Sequence, residues 1–222
     1  MATSRKCYAA RVSAQPGLRE RKKEQTRQAI SEAAWRLFAE RGFDAVTVAE
    51  IARAADVSEG TVFNYFPAKE DLFYGQMESF ETALVDAVRD RPAGESALAA
   101  FRRFVLDRAV GLDERAEVIA KAARIITASP TLQAREREVV ESSTRSLAEL
   151  LAAEAGPRGS DVEAWAVASS LMGVQRGLVR RVRANVLAGM RGAELVTDVK
   201  AQGRRAFARL ERGLGDYAVK KR

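Results

Sequence analysis

Residues 47–69, with the sequence TVAEIARAADVSEGTVFNYFPAK, constrain the fold more than any other part of the chain. Apolar side chains recur with the spacing of one helical face, at Val48, Ile51, Ala52 and Ala55. Thr47 and Glu50 form the capping-box pattern with which many helices begin. These residues therefore predict a short amphipathic helix that starts at Thr47.

A second short helix is expected directly after a tight polar turn. Ser58 can cap this helix, Val62 and Phe66 lie on its inward face, and Pro67 ends it after about Tyr65. Two short helices joined in this way are typical of a helix-turn-helix. The outward face of the second helix is predicted to carry Glu59, Gly60, Thr61, Phe63, Asn64 and Tyr65.

A preceding helix completes the predicted three-helix bundle. It is expected to begin near Glu24 to Thr26 and to end at Gly42, which takes the position that follows a helix C-terminus. The bundle core is predicted to contain Leu37, Phe38, Phe43, Val48, Ile51, Val62 and Phe66.

The rest of the chain predicts further helices, and the fold class is therefore all-α with about nine helices. Apolar periodicity and Gly or Pro breaks suggest helices over residues 69–91, 95–110, 118–126, 131–155, 161–187 and 194–216. No extended alternation of β-branched and aromatic residues indicates a strand. We predict a basic, disordered arm over residues 1–23, a helix-turn-helix domain over 24–70 and a helical domain over 71–222.

Charge and composition narrow the class of partner. The chain carries a net charge of +7, and residues 1–27 contain eight Lys or Arg against two Glu. A basic arm beside a helix-turn-helix favours a polyanion such as DNA, although a solubilising tail or an early start codon explains the arm equally well. No apolar run approaches the ~18 residues of a membrane span, so we expect a cytoplasmic protein without a membrane partner.

The scarcity of histidine and cysteine disfavours enzymatic and metal-binding functions. The 222 residues include no histidine and one cysteine, Cys7. Histidine is the most common general base and metal ligand near neutral pH, and a single cysteine forms neither an intrachain disulfide nor a thiolate cluster. We therefore predict no catalytic residue, no metal site and no cofactor.

The motifs around the helix-turn-helix resemble those of TetR-type transcriptional regulators, over about a fifth of the chain. The matching runs are LFAERGF at 37–43, TVAEIA at 47–52, GTVFNYF at 60–66 and KEDL at 69–72. The resemblance implies an all-α homodimer that binds a double-stranded DNA operator. It also implies a variable C-terminal domain that binds a small-molecule effector and thereby releases the DNA.

The resemblance assigns DNA contacts by position. Its implied contact residues are Thr26, Thr47, Ser58, Glu59, Gly60, Thr61, Phe63, Asn64, Tyr65 and Lys69. The hydroxyl and backbone amide of Thr47 are expected to meet a phosphate, and Tyr65 and Lys69 to anchor the DNA backbone. Thr47 and Ser58 can equally be helix caps alone, while Thr61 and Asn64 can simply be exposed.

Three positions depart from the family pattern. Phe63 stands where the family often has tyrosine, so an apolar contact is expected there in place of a phosphate hydrogen bond. Glu59 can accept from a cytosine amino group or repel misplaced DNA. Ala68 replaces a frequent serine, which predicts a weak cap on the fourth helix.

The C-terminal half more loosely resembles effector domains that bind acyl-CoA-like ligands, through residues 122–137. An apolar cavity with a basic group for an anionic head is expected from Phe101, Phe104, Ile119, Arg124, Trp165, Met172 and Arg176. Ordinary core packing explains the same apolar residues. Arg176, Arg180 and Arg183 share one face, either as a solvated basic surface or as a polyphosphate clamp.

The last two predicted helices suggest a dimer interface. Val167, Leu171, Val174 and Leu178 form an apolar stripe, and Ala164, Ala168, Gly173 and Gly177 permit close helix approach. Two such helix pairs can form a four-helix bundle between subunits. The alternative is that the stripe covers the chain's own core.

The sequence therefore favours a ligand-responsive, sequence-specific DNA-binding regulator, most simply a repressor. Two other classes stay open. One is a nonspecific architectural DNA-binding protein that depends on the basic arm. The other is a helical enzyme acting on an acyl thioester, although no nucleophile and base are seen to converge.

Overall fold

The computed structural model describes residues 18–156 and 160–214 and consists of α-helices and their connections. Side chains at 18 and 76–78 are not described. Within these ranges the helices are α1 (Leu18–Arg41), α2 (Val48–Ala54), α3 (Glu59–Tyr65), α4 (Asp71–Arg89), α5 (Ala97–Asp107), α6 (Ala116–Ala128), α7 (Pro130–Ala155), α8 (Asp161–Leu187) and α9 (Gly192–Leu214). The predicted all-α class is confirmed.

The first helix is longer than predicted, because residues 18–23 are helical. The prediction of a disordered arm over 1–23 is therefore wrong for these six positions. The segment LRERKKEQ consists of strong helix formers, and their intrinsic propensity continues the helix before its apolar period begins. Residues 1–17, which include Cys7, lie outside the described residues.

The helix-turn-helix core contains most of the predicted residues and is closed by other helices. Phe38, Phe43, Ile51, Val62 and Phe66 are buried, whereas Leu37 and Val48 are only partly buried. The same cluster includes Leu72, Phe73 and Tyr74 of α4 and Ile125, Ile126 and Leu132 around the α6–α7 junction. The three-helix bundle thus depends on later parts of the chain to cover its apolar surface.

A second, larger core lies among α4 to α9. Phe101 of α5 and Phe207 of α9 are fully buried, with ring centroids 6.1 Å apart. α4 belongs to both cores, because its first turn packs in the helix-turn-helix cluster and Leu84, Val85 and Val88 pack in the second. This helix therefore connects the two packing units directly.

The sequence pattern misassigns some helix faces. The apolar spacing of α7 favours burial of Ser143 and Leu150, but these two residues are only partly buried, and Thr144 and Leu151 are buried instead. On α8, Val167, Leu171 and Leu178 are buried in the chain's own core together with Ala164 and Ala168. This α8 stripe is therefore not the exposed dimer surface that we predicted.

A buried arginine ties the end of α4 to the end of α7. The Arg91 side chain is 0% exposed and forms an ion pair with Glu154. Its guanidinium also donates to the carbonyls of Val88 at 2.6 Å and Glu95 at 3.1 Å. These contacts supply the hydrogen bonds that a buried guanidinium requires.

None of the described helices has the length and apolar character that crossing a membrane requires.

Candidate nucleic-acid interface

A network of polar contacts organises the N-terminus of α2. The Thr47 hydroxyl accepts from the Glu50 N–H at 3.2 Å, and the Glu50 carboxylate accepts from the Thr47 N–H at 2.8 Å. Glu50 is also paired with Arg41 at 2.7 Å, and Arg41 donates to the Ala45 carbonyl at 3.1 Å. The predicted capping box is confirmed, with the end of α1 tied to the start of α2.

This network changes the expectation for Thr47. Its N–H and its hydroxyl hydrogen both point to the Glu50 carboxylate, at 2.8 and 2.9 Å. A carboxylate thus occupies the anion position at this end of the helix, and the phosphate contact expected through these two groups stays a prediction. The hydrogen bonds from Thr47 and Arg41 lower the pKa of Glu50 to about 2, so the carboxylate is charged at neutral pH.

The backbone of the first turn of α2 supplies other donors for a phosphate. The N–H groups of Val48 and Ala49 have no acceptor within the helix, because the first turn of an α-helix lacks preceding carbonyls. Arg53, further along α2, is exposed on the groove between α2 and α3. The sequence reasoning missed Arg53, whose only signal was a basic residue next to the predicted turn.

The N-terminus of α3 is held by Ser58. Its hydroxyl accepts from the Thr61 N–H at 3.1 Å and lies 2.8 Å from the Thr61 hydroxyl. Both hydroxyls therefore form the predicted cap, and Thr61 is only partly exposed. Asp56 in the preceding turn has φ +55°, a left-handed conformation that Asp tolerates better than most residues.

The outward face of α3 presents the predicted side chains to the surroundings. Phe63 is 47% exposed, and Glu59, Gly60 and Asn64 are also exposed. A Cβ added at Gly60 would lie 3.9 Å from the Ser58 hydroxyl, so packing inside the domain does not require this glycine. A glycine here does leave room for close approach from outside.

The C-terminal end of α3 is anchored by Arg27 of α1. The guanidinium of Arg27 donates to the Tyr65 carbonyl at 3.4 Å and lies 4.7 Å from the centroid of the Phe66 ring. Tyr65 itself is partly exposed. Sequence reasoning did not single out Arg27, because this contact joins residues that are far apart along the chain.

Lys69 has an internal contact that its predicted role did not include. Its ammonium donates to the Phe43 carbonyl at 2.7 Å and lies 4.2 Å from the centroid of the Phe43 ring. Burial lowers the pKa of this ammonium from its usual value. Lys69 thus connects the α3–α4 loop to the α1–α2 loop, and its role as a DNA-backbone anchor stays a prediction.

Two other positions singled out from the sequence are Thr26, an expected DNA contact, and Ala68, where a weak cap is expected. Thr26 is partly exposed on α1, where its hydroxyl donates to the Lys22 carbonyl at 3.0 Å. Ala68 has no side-chain cap to offer, and the carboxylate of Asp71 accepts from its N–H at 2.9 Å. The start of α4 lacks a side-chain cap at Glu70, in agreement with the weak cap expected there.

The predicted effector residues do not converge on one cavity. Phe101 and Met172 are buried in the second core, and Phe104 and Ile119 lie at its edge. The remaining three, Arg124, Trp165 and Arg176, are exposed. Arg124 and Arg176 lie on outer faces of their helices in this structure, so their expected pairing with an apolar cavity stays a prediction without support from the described contacts.

The predicted basic face of α8 is divided in a similar way. Arg176 and Arg180 are exposed, but Arg183 pairs with Glu136 of α7 at 2.7 Å.

An open cleft of about 560 Å³ lies elsewhere, between α1, α4 and α7. Both apolar and polar residues line it, and the charged ones include Arg27, Asp71 and Arg135.

Comparison with known proteins agrees with this geometry. Residues 30–74 match the family model described as bacterial regulatory proteins, tetR family. These residues are the helix-turn-helix unit and the parts of α1 and α4 that pack on it. Residues 30–74 therefore resemble the DNA-binding domain of TetR-family regulators.

Similarity to known transcriptional regulators extends beyond this domain. The chain is 32% identical over 149 residues to the transcriptional regulator TcmR of Streptomyces glaucescens, covering 64% of this chain and 65% of TcmR. A TetR-family regulator structure from Streptomyces coelicolor covers 88% of this chain and 97% of its own, with 26% identity and a TM-score of 0.54. FadR from Bacillus subtilis has the same fold, with 18% identity, a TM-score of 0.52 and coverage of 82% and 97%.

Proposed function

We propose that this protein is a sequence-specific DNA-binding regulator of the TetR family that represses transcription and leaves its operator when a small effector binds. The observation that carries the proposal is the exposed face of α3, whose two ends are held by Ser58 and Arg27. A rigid helix with outward Gly60, Phe63 and Asn64 suits insertion into a major groove. Base contacts then come from this face, and phosphate contacts from the start of α2.

The protein is proposed to act as a homodimer through the outward faces of α8 and α9. Val162 is 78% exposed on α8, and Trp165 and Leu187 are each 43% exposed. A Cβ added at Gly173 or Gly177 would meet no atom within 4 Å, so another helix can approach closely there. Exposed apolar residues on α8, together with glycines that permit close helix approach, support assembly of α8 and α9 into a four-helix bundle between subunits.

Contacts between the two packing units support regulation by an effector. The buried Ser129, between α6 and α7, donates its hydroxyl to Asp44 of the α1–α2 loop at 2.8 Å. The Tyr74 hydroxyl of α4 donates to the Leu132 carbonyl at 3.0 Å, and Arg135 pairs with Asp71 at 3.1 Å. A shift of the α6–α7 junction therefore acts directly on the elements that hold α3.

The effector is proposed to bind within the C-terminal helical domain. FadR of the same fold was crystallised with stearoyl-CoA, a ligand with a long apolar chain. The second core of this chain is rich in the apolar side chains that such ligands contact. An acyl-CoA or similar anion is one candidate effector class, although it requires basic residues other than Arg124 and Arg176.

A gel-shift titration with the DNA upstream of the protein's own gene tests the DNA-binding function. We expect a specific complex whose affinity falls steeply with salt, because phosphate contacts release counterions. Thr61→Ala and Tyr65→Ala should weaken the specific complex by about tenfold or more. Thr131→Ala, which changes an exposed threonine at the start of α7, is the matched control and should bind normally.

Two results would contradict the proposal. Equal affinity for operator and unrelated DNA, abolished when residues 1–17 are deleted, would favour the architectural alternative. Unchanged affinity for the operator in Thr61→Ala and Tyr65→Ala would show that α3 does not make the base contacts.

The dimer is tested separately by sedimentation, where Gly177→Glu should give monomers.

A further inference from the structure

A buried carboxyl group lies between α4 and α8 with only one of its oxygens satisfied. Glu81 of α4 is 3% exposed, and its Oε1 accepts from the Gln175 side-chain amide of α8 at 3.3 Å. Its Oε2 is buried and has no hydrogen-bond partner among the described residues. Gln175 is itself buried, so the pair lies inside the helical core.

The charges around Glu81 do not neutralise it. The nearest acidic influence is Glu136 of α7, which pairs with Arg183 and so has its own cation. Within the described part of the chain, no lysine or arginine forms an ion pair with Glu81. Burial, together with the charge of Glu136, raises the pKa of Glu81 to about 7, against the opposing effect of Gln175.

Such a group weakens a core unless something pairs with it. A buried polar atom without a partner costs on the order of 1–3 kcal/mol. The neighbouring positions on the same helix face are Leu84, Val85 and Val88, which pack without this cost. The carboxyl group of Glu81 therefore destabilises the core, and its Oε2 is available to accept a hydrogen bond from a bound molecule.

The position on α4 also suits a receptor for an effector. α4 packs in the helix-turn-helix core through its first turn and in the second core through Leu84 and Val85. The residue before Glu81, Phe80, is partly exposed and packs against Phe104 in a tilted arrangement, with ring centroids 5.4 Å apart.

We propose that Glu81 and Gln175 form the polar end of the effector site, and that the effector is an amphipathic molecule with a protonated amine or a similar strong donor. The amine would donate to the free Oε2 of Glu81, while its apolar part packs among the apolar side chains of the second core. A charge-assisted hydrogen bond in a desolvated site is stronger than a neutral one. The same carboxyl group disfavours an anionic head group at this point. This inference rests on the proposed function, because it names the class of effector.

Calorimetric titration of the full-length protein with octylammonium, 1-octanol and octanoate tests the site at about pH 8, where both the amine and Glu81 are charged. The three probes share one apolar chain and differ only in the head group. We expect octylammonium to bind at least about tenfold tighter than octanol, and octanoate to bind most weakly. Glu81→Gln should reduce octylammonium binding to the level of octanol.

The control variant is Glu141→Gln, which removes an exposed carboxylate from α7 and should preserve the selectivity. Circular dichroism melts establish that both variants fold. Equal binding of the three probes to the folded wild-type protein would overturn the proposal. An amine preference that persists unchanged in folded Glu81→Gln would overturn it as well.

Operator binding separates this inference from the proposed function. If octylammonium binds through Glu81 and lowers operator affinity several-fold, both are supported. If it binds selectively but the protein binds no operator, the site stands and the regulatory function fails. If the operator is bound but the amine shows no selectivity, the regulatory function stands and the amine site fails.

Discussion

Replacing Glu81 by Gln should stabilise the folded protein at neutral and higher pH. The pKa of Glu81 is raised from 4.5 to about 7 by burial and by Glu136, so its charged form is disfavoured in the folded state. Glutamine has nearly the same shape as the protonated glutamic acid and does not titrate. It can also accept from the Gln175 amide, which keeps the existing hydrogen bond.

The sign and the size of the effect follow from proton linkage. Between pH 4.5 and about 7 the folded state retains a proton that the unfolded state releases, so the free energy of unfolding falls as pH rises. The pKa difference corresponds to about 3 kcal/mol at 1.36 kcal/mol per unit. Above about pH 7 the wild-type protein should therefore be less stable than Glu81→Gln by about this amount.

Urea denaturation of the wild-type protein and of Glu81→Gln measures this difference. The titrations are made at several pH values and at one fixed protein concentration. The chain contains no histidine, so few other side chains titrate in the interval. Glu50 and Asp198, whose pKa values are lowered to about 2, lose their native interactions only below this range. A stability difference that is constant between about pH 5 and 8 would refute the reasoning, and Glu141→Gln should show no such pH dependence.

Substitutions at Arg91, Asp56 and Ser129 each test one local feature of the structure. Arg91→Ala should lower the free energy of unfolding by about 3 kcal/mol, because it leaves Glu154 and two carbonyls without their donor; urea denaturation measures this loss. Asp56→Gly should raise the thermal midpoint by relieving a left-handed backbone, whereas Asp56→Val should lower it. Ser129→Ala should cost about 1–2 kcal/mol by removing the α7 cap, while Ser160→Ala should change little because Ser160 makes no side-chain cap bond. Equal losses in these two serine variants would contradict the assignment.

The helix-turn-helix could be predicted from local sequence because its determinants are local. Thr47 and Glu50 cap α2, Ser58 caps α3, and Gly42 ends α1 with φ +79°. Each interaction spans a few residues, so spacing and residue type were sufficient to identify it. The end of α8 at Leu187 was predicted for the same reason, since Gly189 follows it.

The site itself was predicted less completely, because partners from distant helices decide what each side chain can do. Phe63, Gly60 and Asn64 lie outward as expected. Lys69 instead reaches the Phe43 carbonyl, and Arg27 anchors α3 through Tyr65. Neither contact has a signal in local spacing.

The sequence alone determined the all-α class, the helix-turn-helix and its caps, because helical periodicity and capping act between near neighbours. Only the tertiary structure decided which face of α8 is buried, that Trp165 and Arg176 are exposed, and that Glu81 is enclosed without a cation. Several faces of a long helix can carry apolar residues, and the packing of other helices selects among them. The helix α3 could therefore be predicted from the sequence, whereas the charge environment of the helical core could not.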